Sequence, residues 1–294
     1  MIYHIKHATR FRYSRPVFCE PMTLRLRPRE DAAQRLLRYN VWIDPAPAGM
    51  CDVVDVDGTA ATQIWFNGLT SALSVVVSGT VETLRTNAFD YVLDQQFVRL
   101  PFAYPDYVKA ALQPYLESSV HPEVAELARA TAESCGERTT NFLTSLTRRL
   151  QESIERIVRP EGPPLPAEET LRTGQGSCRD IAVLFNDACR AVGLASRFVS
   201  GYHECESIDG RRHLHAWSEV YLPGAGWRGF DPAEGLAVAD RHVALASGAL
   251  PLLTSPTYGT FRGTGAESTL EAQIVIRSGR RAERSEPLIP AIAD

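Results

Sequence analysis

Gly174-Gln175-Gly176-Ser177-Cys178-Arg179-Asp180, running into Ile181-Ala182-Val183-Leu184-Phe185, is the stretch on which the fold turns. A glycine-flanked turn delivers a cysteine to the first turn of an apolar-faced helix. Ser177 suits the N-cap, and Asp180 stands three residues on, a capping-box spacing with Asp in place of Glu or Gln. Ile181, Leu184, Phe185, Ala188 and Val192 recur at helical spacing, and Gly193 is placed to stop the helix. A thiol at a helix N-terminus feels the positive end of the macrodipole, which favours the thiolate.

Two stretches farther along supply partners for that thiol. His215 lies in Leu214-His215-Ala216-Trp217, within an alternating run over 213–222 that reads as a strand. Pro223-Gly224-Ala225-Gly226 turns the chain, and the returning strand ends at Asp231 in Gly229-Phe230-Asp231-Pro232. A free cysteine, with a pKa of about 8.5, is only a few per cent thiolate at pH 7. Pairing with a histidine lowers that value, and the same histidine then protonates a leaving amine. A carboxylate behind the histidine fixes its tautomer and holds the imidazolium. The roles assign as Cys178 nucleophile, His215 acid/base and Asp231 orienter, with the backbone N–H of Cys178 as an oxyanion donor. For His215 and Asp231 to share a face, Leu222 must pair with Arg228 rather than Trp227, because a one-residue slip flips every side chain. The expectation is therefore a five-residue loop over 223–227, or a nearby bulge, with the cysteine helix packed across the His215 face.

Each residue also has a plainer reading. Cys178 can be a buried structural thiol. His213 shares the parity of His215, and a His-x-His strand could bind a metal with Cys178 or Cys205, although no carboxylate or thiol stands at a standard ligand spacing. Asp231-Pro232 can be a strand-ending turn. A serine nucleophile is disfavoured, because Gly174-Gln175-Gly176-Ser177 lacks the glycine two residues after the serine.

Outward from this centre the chain divides. Residues 1 to about 85 read as all-β: Tyr3, Ile5, His7, Thr9, Phe11 and Tyr13 share one parity, and further short runs are separated by turn signals such as Asp57-Gly58. A β-sandwich is expected there, with His4 and His7 as ordinary strand residues. A proline-punctuated, aromatic connector follows over 86–120. Pro122 suits a first helical position, and Asn141 can cap a second helix carrying Phe142, Leu146, Leu150 and Ile154. Arg159 to Pro166, with four prolines, is loop, and Leu270 to Ile276 is one more strand. The expected division is 1–95 for the β-sandwich, 96–277 for a catalytic domain and 278–294 for a flexible tail.

Composition narrows the class. A formal net charge of −4 over 294 residues, with arginines only in short clusters, argues against a nucleic-acid partner. No apolar run approaches the ~18 residues of a membrane helix. The first seven residues alternate like a strand rather than a signal peptide, so a cytoplasmic protein is expected. Six cysteines without a C-x-x-C pair suggest free thiols, five of them small buried apolar residues. No cofactor or metal is expected.

Gly176-Ser177-Cys178-Arg179-Asp180, the run from Cys189 to Tyr202, the run from His215 to Trp227 and Asp231-Pro232 resemble the bacterial transglutaminase-like family, whose members are commonly described as candidate cysteine proteases. His7 to Val17 and Leu24 to Arg29 resemble that family's N-terminal β domain. The resemblance implies an α+β, papain-like/transglutaminase-like core, a cysteine helix on an antiparallel sheet, with Cys178, His215 and Asp231 catalytic. It implies acyl transfer from amide or isopeptide bonds of a peptide or protein substrate, hydrolytic in the leading reading. An amine-accepting transglutaminase and a catalytically idle peptide-binding module are the alternatives.

Overall fold

The computed structural model describes residues 1–117, 120–159, 162–205 and 209–279. Six strands come first: β1 (Ile2–Cys19), β2 (Met22–Leu24), β3 (Gln34–Asp44), β4 (Gly49–Val54), β5 (Ala60–Trp65) and β6 (Leu69–Thr83). Then follow α1 (Asp106–Leu116), α2 (Pro122–Ser134), α3 (Thr139–Ser153), β7 (Glu155–Arg156), α4 (Ala167–Thr173), β8 (Gln175–Gly176) and α5 (Cys178–Ala191). The chain continues through β9 (Ser196–His203), β10 (His215–Leu222), β11 (Gly226–Asp231), β12 (Leu236–Ala237) and β13 (His242–Gly248). It ends with β14 (Thr257–Tyr258), β15 (Phe261–Arg262) and β16 (Ser268–Gly279).

The early strands form two antiparallel sheets around one core. Alternation in β1 puts Tyr3, Ile5 and Tyr13 inside with Leu24 and Ile64 of the facing sheet, which makes the expected sandwich. The last strands return to it. β16 pairs with β1 from Ile2↔Gly279 to Tyr13↔Ser268, β15 extends that edge, and β14 pairs with β2. Residues 257–279, expected in the second unit or at the start of a tail, thus complete the first unit's sheets. The rest of the expected tail, 280–294, lies outside the described residues.

Between these parts sits a five-stranded antiparallel sheet in the order β12-β11-β10-β9-β13. α5 packs on one face of it. Phe185 stacks on Phe230 at 6.0 Å, and Val220 and Leu222 join the same core as Leu146 and Leu150 of α3. Burial of each such side chain is worth roughly 1.5–3 kcal/mol relative to exposure, so these few residues fix the helix on the sheet. α3 begins at Thr139 with Arg138 as its N-cap, three residues before the expected Asn141 cap. Asn141 is exposed, whereas Thr139 is buried and donates to the Phe97 carbonyl at 2.7 Å, so tertiary anchoring sets the start. The sheet's other edge, β13, is buried at every position, and Val243 and Leu245 reach into the sandwich core.

Candidate active site

Ser177 and Asp180 form the expected capping box. The Ser177 N–H and hydroxyl donate to Asp180 Oδ2 at 2.8 and 2.6 Å. Asp180 also accepts from Arg159 at 2.6 Å and from the Leu165 N–H at 2.8 Å, so one buried carboxylate ties the 159–165 loop to the helix start. Gly174, at φ 64°, closes α4 in the left-handed region and redirects the chain into this turn. Cys178 is thereby held, partly exposed, at the first helical position, where a backbone N–H has no intrahelical acceptor.

The hairpin delivers the other two residues by a shorter loop than expected. Leu222 pairs with Gly226 and Ser218 with Phe230, leaving a three-residue loop, Pro223-Gly224-Ala225. Gly224 (φ 88°) and Gly226 (φ 71°) both adopt the left-handed region this tight turn needs. Three residues and five preserve the same parity, so His215 and Asp231 do share a face. Their side chains meet at 2.6 Å, His215 Nε2 to Asp231 Oδ2. α5 packs on the opposite face from these two, contrary to expectation: Ala216, Ser218 and Val220 meet the helix, and Ser218 Oγ donates to the Ala182 carbonyl. Cys178 meets His215 at the start of β10, around the end of the sheet, where the thiol bonds to His215 and to the Ala216 N–H. Asp231 occupies Nε2, so Nδ1 of His215 is left to serve the sulfur.

The carboxylate has more partners than the sequence suggested. His242, on β13, also bonds through Nε2 to Asp231 Oδ2, at 2.9 Å, and the N–H groups of Ala233 and Glu234 donate to Oδ1 at 3.0 and 3.1 Å. His203 lies beside both histidines, with ring centroids 4.5 Å from His242 and 5.2 Å from His215. Trp217 covers the group, its ring 6.2 Å from His215 and 5.0 Å from His242. Gly201, directly opposite His215 in the sheet, gives that indole its room: a Cβ there would lie 2.3 Å from the Val243 carbonyl and 2.6 Å from the Trp217 ring.

Electrostatics follow from this packing. Burial alone would strip His215 of its proton, but Asp231 and the Cys178 sulfur outweigh it and lift the pKa from 6.5 to about 10. Burial raises the Cys178 thiol, yet His215, the Ala216 N–H and Arg156 overcome it and the net direction is down. Asp231, also disfavoured by burial, is held far below the carboxylate range by His215 and His242. His203 is pushed down to about 3 by burial and by the neighbouring histidines, and burial lowers His242 too. One charged imidazole thus stands between a carboxylate and a thiol whose pKa it lowers, and the two other rings are held towards the neutral form.

His213 does not join this group. It is exposed and bonds to Asp209 at 2.8 Å, so the His-x-His pair with Cys178 or Cys205 is not assembled. Two sets among the described residues have metal-ligand spacing, His203-His215-Glu234 and His215-Asp231-His242. Both draw on His215, which already serves Asp231 and the thiol. Of the cysteines expected to be buried, Cys51 and Cys205 are exposed.

A helix-start cysteine, a histidine and an aspartate gathered at one end of an antiparallel sheet define a thiol–imidazole–carboxylate site on an α+β scaffold. Residues 3–82 match the bacterial transglutaminase-like N-terminal region, and residues 125–232 match the transglutaminase-like superfamily core. The chain belongs to the transglutaminase-like superfamily. It is 24% identical over 275 residues to the uncharacterised protein ML0607 of Mycobacterium leprae, covering 89% of this chain and 94% of that one. It is 24% identical over 260 residues to the uncharacterised Rv2569c of Mycobacterium tuberculosis, covering 84% and 83%. A crystal structure described as a "putative cysteine protease" from Cytophaga hutchinsonii superposes with a TM-score of 0.71, covering 95% of this chain and 91% of that one, at 19% identity. At that identity the likeness is one of fold.

Proposed function

We propose that the protein is a thiol-dependent acyl-transfer enzyme that hydrolyses amide or isopeptide bonds of peptide-like substrates. The observation that carries this reading is the 2.6 Å contact between His215 and Asp231, with the Cys178 sulfur bonded to the same imidazole at a helix start. The thiolate attacks the amide carbonyl and forms a C–S bond. The Cys178 N–H, aimed outward from the helix start, stabilises the developing oxyanion. His215 gives its Nδ1 proton to the departing amine as the C–N bond breaks, leaving a thioester. His215, now neutral, takes a proton from water, whose oxygen attacks the thioester. The acid product leaves and the ion pair is restored. Asp231 stays ionised throughout and keeps the imidazole oriented.

Cys178→Ala tests the reading. It removes turnover of a peptide-amide library while leaving the thermal midpoint nearly unchanged, and turnover surviving in that variant would overturn it. Mass spectrometry of the products with and without added primary amine reports the acceptor: free acid for hydrolysis, new amide for transamidation.

A further inference from the structure

The cleft that holds Cys178 and His215 is walled in part by the sandwich. Its lining takes in His7 and Thr9 of β1 and Leu270, Ala272 and Ile274 of β16. His7 pairs with Ile274 and Thr9 with Ala272, so these side chains are neighbours on one face of one sheet. β16 is the outermost strand on that side: it pairs with β1, and no strand lies along its far edge among the described residues.

The ladder decides which backbone groups of β16 are left over. The Ser14 N–H donates to the Glu267 carbonyl at 3.0 Å, and the pairing runs from Tyr13↔Ser268 to Ile2↔Gly279 without a register shift. In an antiparallel pair every second residue bonds across, and those between face away. The odd-numbered residues of β16 therefore bond to β1, and the even-numbered ones, from Ser268 to Ser278, turn their N–H and C=O groups to the open edge. The far side of β1 agrees: the Thr83 N–H donates to the Met1 carbonyl at 2.9 Å, so odd-numbered residues of β1 bond to β6 and even-numbered ones to β16. Leu270, Ala272 and Ile274 are even-numbered. The residues that line the cleft are thus the ones with open backbone groups. Long edges are ordinarily blunted by a bulge, a lysine or a proline. β3, at the opposite side of this sheet, has a bulge between Leu36 and Arg38. β16, twelve residues long, has none of the three. Its charges, Glu271 and Arg277, are odd-numbered and lie on the face away from the cleft.

We infer that the open edge of β16 receives the substrate: an extended peptide adds to the sheet as a further strand and directs apolar side chains at alternate positions towards the cleft. The inference rests on the thiol chemistry proposed above. An added strand lies about 4.8 Å beyond β16, with backbone bonds supplying affinity and the alternate side chains selection.

A peptide with a single usable edge tests this without a known substrate. The probe is acetyl-(Thr-Val)5-amide with every threonine nitrogen methylated, which leaves only the valine N–H groups, all on one edge. Amide hydrogen exchange in the full chain is followed residue by residue by NMR. The amides of Leu270, Ala272, Ile274 and Ile276 should exchange fast in the free protein and slow by about tenfold at ten times the half-saturating peptide concentration. Odd-numbered amides, already bonded to β1, should not change, and the peptide methylated at every nitrogen should have no effect. Ala272→Pro removes one outward donor and no bond to β1, so it should weaken peptide binding by roughly threefold to tenfold while the odd-numbered amides stay protected. Even-numbered amides that are already slow in the free protein, or that ignore the singly methylated peptide, overturn the inference. Slowing that grows with protein concentration in the absence of peptide gives the edge to a second copy of the chain and overturns it too. Peptide binding at β16 with Cys178 labelled at pH 6 no faster than exposed Cys51 keeps the docking edge and retires the thiol chemistry instead.

Discussion

Asp231→Asn removes one negative charge from behind His215 and keeps an oxygen able to accept from the Ala233 and Glu234 N–H groups. The rise of the His215 pKa from 6.5 to about 10 corresponds to about 5 kcal/mol in favour of the charged ring, at about 1.4 kcal/mol per pH unit. Burial opposes that charge, so without Asp231 the ring neutralises and the thiolate loses its counter-ion. Burial then raises the Cys178 thiol with less to oppose it, so its labelling at pH 6 should fall. The deficit shrinks as pH rises. The wild-type thiol, its pKa lowered, ionises at lower pH than the variant's, so the two rates approach each other as pH rises. Iodoacetamide labelling between pH 5 and 10, read by peptide mass spectrometry, gives both profiles. A folded variant labelled at pH 6 within threefold of wild type would refute the linkage between Asp231 and the sulfur.

Other perturbations separate the supporting groups. At pH 6, brief iodoacetamide treatment of wild type should mark Cys178 ahead of the other five thiols; preference for exposed Cys205 would count against a lowered thiol pKa. His242→Phe fills the same space but withdraws one of the two imidazole bonds to Asp231 Oδ2, so the labelling profile should move to higher pH while the protein stays folded. Glu219→Gln leaves Arg29 and Arg197 around a neutral side chain and should cost about 3–5 kcal/mol in denaturant unfolding. Burial would raise the Glu219 pKa, but the two arginines hold it well below the glutamate range. Its stabilising contribution is therefore complete above the unfolded value of about 4.3 and is lost as pH falls below it. Chelator treatment should leave Cys178 labelling unchanged, and stoichiometric zinc that disappears in His203→Ala would contradict this.

The cysteine helix was legible because several local signals agree: a glycine approach, a capping pair and a 3.6-residue apolar period. The parity of His215 and Asp231 could be reasoned out, since the triad geometry demands it, but two loop lengths satisfy the same parity and only packing chooses between them. β13 was not legible. Both its faces are covered, so Val243-Ala244-Leu245-Ala246 shows no alternation, and His242 reads as an ordinary polar residue at the start of an apolar run. His203 lies beside His242 because β9 pairs with that unrecognised neighbour, a partnership no local signal names. The side of the sheet taken by α5 was misread because contact between Cys178 and His215 was assumed to occur across a face. The sulfur instead reaches the ring around the end of β10. The closing strand was recognised over 270–276, but nothing local in Leu270 to Ile276 names a partner 260 residues away.

That return has a temporal consequence. During synthesis β1 emerges first, and β16, one of its two long neighbours, emerges last. Until then one edge of β1 offers unpaired N–H and C=O groups along residues 2–13, a template for intermolecular pairing. The same late strand brings Leu270, Ala272 and Ile274 to the cleft. Thus the nascent chain can assemble thiol, imidazole and carboxylate while one wall of the cleft is still on the ribosome. A released chain truncated after residue 267 should then carry Cys178 beside His215 in a cleft without that wall, with one edge of β1 left open.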